Sequence, residues 1–463
     1  MEHFDVIIIG SGPAGEKAAA QAAYIGKKAL IIEKEPVVGG AMVNTGTLPS
    51  KTLRETSLFF SGKKRHRMYG VEYREKKFSV QELMFRKNLI IKKEIEMINE
   101  NLAKHKVAQV RGSAYFIDRH TIGIEGGDDK FTADFVLISV GSHPYRPKMI
   151  PFEEPSVYDS DEILHMINIP KSMVIIGAGV IGCEYACMFA ALGIDITLVD
   201  TRDVILPFLD REISRLLVEE LKKLGVRIIF NESIEKVEVK NGTCETHLKS
   251  GEVLRTETHL FAAGRSGNTE GLKLENIGLS ANSRGQLEVN EHYQTEIPHI
   301  YAAGDVIGFP SLASTSMEQG RVAMCHAFDF LYKDRVAALL PLGLYTIPEV
   351  SMVGMTEEEA RKNSIDYEVG KSFYADNPRG QIIGNERGML KLVFAKEDKK
   401  LLGVHVIGDN ASEIVHTGMM TMHFGGTIDA FIACVFNYPT LSDIYKYAAY
   451  DGLGNLSGHK IRK

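Results

Sequence analysis

Phe4-Asp-Val-Ile-Ile-Ile-Gly10-Ser-Gly12-Pro-Ala-Gly15 joins an apolar run to a glycine loop, and Met173-Val-Ile-Ile-Gly177-Ala-Gly179-Val-Ile-Gly182 repeats the arrangement later in the chain. Each run is nearly continuous in apolar residues, as expected of a parallel strand buried on both faces. Each loop then opens a helical pattern. In such a loop the first glycine permits a tight turn, the second lets backbone approach a pyrophosphate, and the third lets helix pack on strand. The pyrophosphate would rest on free N–H groups at the positive end of the helix dipole.

A carboxylate ends the next apolar strand in both repeats, in Ala29-Leu-Ile-Ile-Glu33 and in Ile196-Thr-Leu-Val-Asp200. Both acids lie about 20 residues past the third glycine, where a ribose-binding acid is expected. One glycine loop alone could be a turn before an ordinary helix. Strand, loop, helix and acid occurring twice predict an α/β fold with two Rossmann-like dinucleotide-binding domains.

The 463 residues suffice for about three domains. Hydrophobic content of 44% and charged content of 25% suit a soluble globular chain. A net charge of −6 gives no electrostatic case for nucleic acid. The cluster Lys63-Lys-Arg-His-Arg67 reads as a solvated helix end. A strand pattern begins by Phe4, so no secretory signal is expected, and the apolar runs fall short of the ~20 residues of a membrane span. The five scattered cysteines suggest neither a disulfide framework nor a metal site and fit a reducing cytoplasm. Cys183 and Cys187 stand one helical turn apart in the apolar stretch Cys183-Glu-Tyr-Ala-Cys-Met-Phe-Ala190, which predicts core packing rather than a redox pair.

Helices are expected near 80–104, 210–224, 356–363, 411–424 and 440–450, and strands near 108–110, 121–124, 135–140, 389–394 and 403–407. Pro144, Pro147, Pro151 and Pro155 mark a linker. The segment after about 336 mixes strands and helices without a glycine fingerprint, which suggests a third, α+β domain.

Further motifs extend the pattern: Gly39-Gly40 to Pro49-Ser50-Lys51, Ser139-Val-Gly-Ser142, Ala263-Gly264-Arg265, Tyr301-Ala-Ala-Gly-Asp305 and Thr346-Ile-Pro-Glu349. Over essentially its whole length the chain resembles the two-dinucleotide-binding-domain flavoproteins related to glutathione reductase and lipoamide dehydrogenase. The resemblance implies an FAD-binding domain at 1–150 and 270–335, an NAD(P)-binding domain at 151–269, and a dimerisation domain at 336–463. It implies FAD contacts at Gly10, Gly12, Gly15, Glu33, Lys51 and Asp305, and nicotinamide nucleotide contacts at Gly177, Gly179, Gly182, Asp200 and Arg202. Gly40, Gly112, Ala114, Gly141, Gly264 and Ala313 would be further cofactor contacts.

Two departures narrow the function. Met42 and Thr47 stand where the disulfide reductases of this family carry their redox cysteines, so no thiolate can relay electrons. Tyr438, in Phe436-Asn-Tyr-Pro-Thr440, stands where they carry an acid–base histidine. A phenol titrating near about 10 is a poor substitute. Both features, with Gly46-Thr-Leu-Pro-Ser-Lys51, resemble the soluble pyridine nucleotide transhydrogenase branch, although that branch implies cysteine rather than Met42.

The resemblance implies FAD-dependent hydride exchange in which NADPH reduces the flavin and NAD⁺ collects the hydride at the same site. Lys51 would lie near the flavin and pair with Glu184. Thr47 would either reach the flavin by its hydroxyl or fill the cysteine's volume. Asp200 would accept from the 2′-hydroxyl of NAD and repel the 2′-phosphate of NADP, while Arg202 either binds that phosphate or points to solvent. The competing readings are an NADH-dependent reductase or oxidase serving oxygen or a quinone, and a non-catalytic flavoprotein acting through its dimer surface.

Overall fold

Strand Glu2–Ile9 lies in parallel between Ala29–Glu33 and Lys130–Ile138 in a computed structural model of the chain, which describes residues 1–62 and 78–459. Val6, Ile7 and Ile8 are wholly buried, which is why the run shows no polar alternation. Ala108–Arg111 extends the sheet in parallel, and Thr121–Ile124 with Ala114–Phe116 add antiparallel strands at the other side. Ile300–Ala302 pairs in parallel with the carboxyl half of Lys130–Ile138, so the chain returns to its first sheet after an excursion. Helices Pro13–Tyr24 and Ala313–Ala327 pack together so closely that a Cβ on Gly320 would lie 2.2 Å from the Ala14 carbonyl oxygen. The expected strand at 135–140 stops at Ile138, where its neighbour Glu2–Ile9 also ends; the Ser139 hydroxyl then donates to the carbonyls of Ile9 and Gly10.

The excursion builds a second, all-parallel sheet in the order Arg227–Ile229, Asp195–Val199, Ser172–Ile176, Thr258–Phe261, Val157–Asp159. Ser142–Pro144 and Arg265–Gly267 pair antiparallel where the chain crosses out and back. The prolines that follow occupy turns, as a linker requires. Helix Val180–Ala191 is apolar on nearly every face and fills the core of this unit, with Cys183 and Cys187 fully buried.

From Leu342 a five-stranded antiparallel sheet forms, in the order Leu342–Leu344, Val350–Gly354, Leu401–Ile407, Met389–Ala395, Tyr367–Phe373. Helices Ala411–His423 and Ile444–Ser457 cover it.

Helix Val80–Lys104 matches its expected limits and begins with a capping box in which Ser79 and Glu82 each hydrogen-bond the other's backbone N–H. The helix expected at 440–450 instead runs from Ile444 to Ser457. In the fold, Gly452 lies against the Phe394 ring, 2.6 Å from a would-be Cβ, so the missing side chain serves packing. The basic cluster Lys63–Arg67 lies outside the described residues. Among the described residues no helix is long and apolar enough to cross a membrane.

Candidate active site

Both glycine loops have the geometry their spacing demands. Gly10 has φ +102°, and a Cβ there would sit 2.5 Å from the Ser139 carbonyl oxygen; a Cβ on Gly15 would sit 2.0 Å from the Gly10 carbonyl oxygen. Gly177 and Gly182 repeat this, with φ +101° and an approach of 1.8 Å. The helices that follow, Pro13–Tyr24 and Val180–Ala191, start without a side-chain cap. Their first N–H groups therefore face outward as donors for an acceptor.

The two strand-end acids are also equivalent. Glu33 accepts from the Ser11 N–H at 2.8 Å and its hydroxyl at 2.7 Å. Asp200 accepts from the Ala178 N–H at 2.6 Å. Each carboxylate thus braces the residue after the first glycine.

Beyond that the sites differ. Arg202 chelates Asp200, with Nε 2.8 Å from Oδ1 and Nη2 2.7 Å from Oδ2, and its own N–H adds a contact of 2.9 Å. Burial alone pushes the Asp200 carboxyl up, but the side chain and N–H of Arg202 and the N–H of Ala178 outweigh it and hold the group below its ordinary value. Arg202 therefore does not simply point to solvent; it neutralises the acid beside the second loop.

A cavity of about 1210 Å³ runs along the carboxyl ends of the first sheet. Gly10, Gly12, Glu33 and Gly40 line one end, with Gly112, Ala114 and Gly141 alongside. Thr47, Lys51, Glu184, Asp305 and Ala313 line it further on. Gly15 lies beneath the loop it packs. Gly177, Gly179, Gly182, Asp200, Arg202 and Gly264 do not line this cavity and belong to the second sheet's edge.

Lys51, from helix Thr47–Ser61, and Glu184, from helix Val180–Ala191, meet in the cavity at 2.5 Å. The other Glu184 oxygen accepts from the Tyr345 N–H at 2.8 Å, and the Lys51 ammonium lies 5.2 Å from the Tyr345 ring centre. Asp305 accepts from the Ser142 hydroxyl at 2.9 Å. That hydroxyl accepts from Arg265 Nε at 2.9 Å, and Arg265 Nη1 lies 3.0 Å from Asp161. Tyr345, Ser142, Arg265 and Asp161 were not among the expected site residues. Ser142 and Arg265 sat inside recognised motifs, whereas Tyr345 and Asp161 carried no sequence signal.

Met42 and Thr47 line the cavity, and none of the five cysteines does. Burial raises the Cys183 thiol well above its ordinary value and pushes Cys187 up to about 12, so neither supplies a thiolate near neutrality. Tyr438 is 72% exposed on the single chain, away from the cavity lining. Among the described residues two clusters have metal-like ligand spacing, Glu238–Glu245–His247 and Asp210–Glu212–Glu357. Lysines already supply the cations: Lys240 bridges Glu238 and Glu245, and the Lys391 ammonium sits among the other three acids.

Two nucleotide loops, one on the parallel strands of a mixed sheet and one on an all-parallel sheet, with an antiparallel third unit, define a recognisable class. Residues 4–320 match the pyridine nucleotide-disulphide oxidoreductase family, and residues 340–449 match the dimerisation domain of the same proteins. The chain belongs to this family. It is 45% identical over 461 residues to the soluble pyridine nucleotide transhydrogenase of Mycobacterium tuberculosis (strain ATCC 25177 / H37Ra), covering 98% of each chain. It is 43% identical over 463 residues to that of Chromohalobacter salexigens, covering 98% of this chain and 99% of the relative. Among solved structures, the HOCl-induced flavoprotein disulfide reductase RclA from Escherichia coli aligns with a TM-score of 0.88 at 27% identity, covering 96% of this chain and 99% of that one. LpdA from Mycobacterium tuberculosis shares the fold, with a TM-score of 0.89 at 24% identity over 97% and 99% of the two chains.

Proposed function

We propose that the chain is an FAD-dependent NAD(P)⁺ transhydrogenase that moves hydride from NADPH to NAD⁺ through one nicotinamide site. The observation that carries this reading is the make-up of the cavity wall: Met42 and Thr47 in place of thiols, and no cysteine in the lining. A dithiol relay has no donors there. The names of the relatives point the same way.

The residues suit FAD. An elongated cavity joins Glu33 to Lys51, and helices Pro13–Tyr24 and Ala313–Ala327 start at its wall without side-chain caps, leaving N–H donors for phosphates and ring carbonyls. Glu33 would accept from the adenosine ribose, the backbone at Gly10 and Gly12 would hold the pyrophosphate, and Asp305 would accept from a ribityl hydroxyl. Bound there, FAD would supply the hydride-carrying chemistry between one nicotinamide and the next. Lys51 would place a positive charge at the reacting end, oriented by Glu184. Thr47 would occupy the space of the missing thiol beside it. Gly177, Gly179 and Gly182 would receive the pyrophosphate of NAD(P)H, with Asp200 and Arg202 at its ribose.

Sheet membership supports the division into 1–150 with 270–335, 151–269, and 336–463. The matched dimerisation domain supports a homodimer, which would cover the exposed Phe424, Val435 and Tyr438. Free, scattered cysteines fit a cytoplasmic location.

Anaerobic reductive titration tests the reading. Two electrons per FAD should suffice, with no long-wavelength thiolate–flavin band and no turnover of dihydrolipoamide or oxidised glutathione. Uptake of four electrons per subunit would reveal a second redox pair and end it. Independently, Asp305→Ala removes a charged acceptor whose hydrogen bonds contribute about 1.5 kcal/mol or more. FAD should then dissociate roughly tenfold more readily, as measured by flavin release on gel filtration.

A further inference from the structure

Cys187 and Arg54 lie outside the proposed chemistry, yet both are buried beside it. Helix Thr47–Ser61 carries Lys51 and, one turn on, Arg54; helix Val180–Ala191 carries Glu184 and, one turn on, Cys187. The segment 345–349, which bends at Ile347 and Pro348, runs between them. At its first residue the Tyr345 N–H donates to Glu184 at 2.8 Å, beside Lys51. At its second, the Thr346 carbonyl accepts from Arg54 Nε at 3.0 Å. At its third, the Ile347 N–H donates to Cys187 Sγ at 3.1 Å. At its last, Glu349 lies 3.2 Å from Arg54 Nη1, while its other oxygen accepts from the Ser412 hydroxyl at 2.7 Å.

We infer that Arg54 and Cys187 are positioning residues, which hold the segment 345–349 against both helices and thereby fix the Lys51–Glu184 pair for hydride transfer. The inference rests on the role proposed for that pair. The geometry repeats with the helical period, as one rung at Lys51, Glu184 and Tyr345 and a second at Arg54, Cys187 and the peptide joining Thr346 to Ile347. Arg54 and Glu349 are 4% and 8% exposed, so solvent does not compete for their contacts. The Tyr345 N–H occupies the Glu184 oxygen that Lys51 leaves free, so releasing the segment would let that carboxylate turn. Side chains misplaced by about 1 Å cost on the order of a hundredfold in rate. A thiol here acts as an acceptor rather than as a redox group, which accounts for a buried cysteine that makes no disulfide.

The test compares Cys187→Ala with Cys187→Ser in the FAD-loaded full chain, with Arg54→Met as a second break in the strap. Two properties are read: amide hydrogen exchange of the peptide spanning 345–349, and the saturating rate of flavin reduction by whichever nicotinamide nucleotide reduces the wild type. Cys187→Ala and Arg54→Met should lose protection in that peptide, and reduction should slow by roughly tenfold to a hundredfold at unchanged nucleotide affinity. Cys187→Ser keeps an acceptor and should retain both properties. Lost protection with an unchanged rate, or unchanged protection in both breaking variants, would overturn the inference. If Arg54→Met does not fold, the Ala and Ser pair at Cys187 decides it. Failure of the wild type to exchange hydride between NADPH and NAD⁺ would strike the proposed function and leave this test standing.

Discussion

Lys391→Met should cost about 3–5 kcal/mol of folding stability, because it removes the cation from a buried ion cluster and leaves its acids facing one another. Lys391 is 1% exposed, on strand Met389–Ala395 of the third sheet. Its ammonium lies 2.9 Å and 2.8 Å from the two oxygens of Asp210, 3.1 Å from Glu212, and in contact with Glu357. Asp210 is wholly buried and also caps helix Arg211–Lys223 by accepting from the Glu212 N–H. Burial alone would drive the Asp210 carboxyl up, and the neighbouring His405, the Lys391 ammonium and the Glu212 N–H hold it below its ordinary value. The cluster therefore joins the second nucleotide unit to the third domain by charge, and its acids depend on that charge. Methionine matches the aliphatic stem but supplies no compensation. Adding Asp210→Asn, which keeps a cap, should recover most of the loss. Urea unfolding of the wild type, Lys391→Met and the double variant, at fixed FAD and protein concentration, measures this. Equal stabilities would show that the cluster contributes nothing net.

The largest effect on cofactor choice is expected at Arg202→Ala. The guanidinium is 41% exposed in its side chain and can leave Asp200 for a 2′-phosphate. Asp200 would still be held by the N–H groups of Ala178 and Arg202. On the proposed reading the pair would stay closed around a neutralised acid with NADH, and the arginine would turn outward with NADPH. A charge-assisted contact to the phosphate contributes about 1.5–3 kcal/mol, or about tenfold to 150-fold in affinity. Arg202→Ala should lose NADPH affinity by that factor, since it also unmasks the negative charge of Asp200, and leave NADH use nearly unchanged. Asp200→Asn should shift preference toward NADPH, because it removes the repulsion and keeps a hydrogen-bonding side chain. The concentration dependence of flavin reduction by each nucleotide gives both numbers. Equal losses for the two nucleotides would show that Arg202 supports the loop rather than the phosphate.

How far the fold was legible follows from what each feature requires of the chain locally. A pyrophosphate loop needs glycine at fixed spacing for steric reasons, and Gly10, Gly15, Gly177 and Gly182 meet those demands within six residues each. The acids at Glu33 and Asp200 were legible because a buried strand ends on them. The Asp200–Arg202 tension was visible in sequence, but its resolution into a closed pair needed coordinates. Lys51 and Glu184 meet across the length of two domains, and only the resemblance connected them. Tyr345 enters through its backbone N–H, which no side-chain pattern reports. The Lys391 cluster gathers residues 210, 212, 357 and 391, each an ordinary surface charge by local pattern. The helix expected at 440–450 runs on to Ser457, and Gly452 in the added part packs against the Phe394 ring, a long-range contact that local pattern does not report.

The central claim is that one thiol-free site takes hydride from NADPH and passes it to NAD⁺. Anaerobic stopped-flow spectroscopy tests it most directly, by mixing the FAD-loaded protein first with NADPH and then with a thio-analogue of NAD⁺. The account predicts rapid bleaching of the flavin in the first step, and its full return in the second with stoichiometric reduced analogue. Bleaching by NADPH no faster than background, alongside rapid bleaching by NADH, would contradict it and favour an NADH-dependent reductase serving oxygen or a quinone.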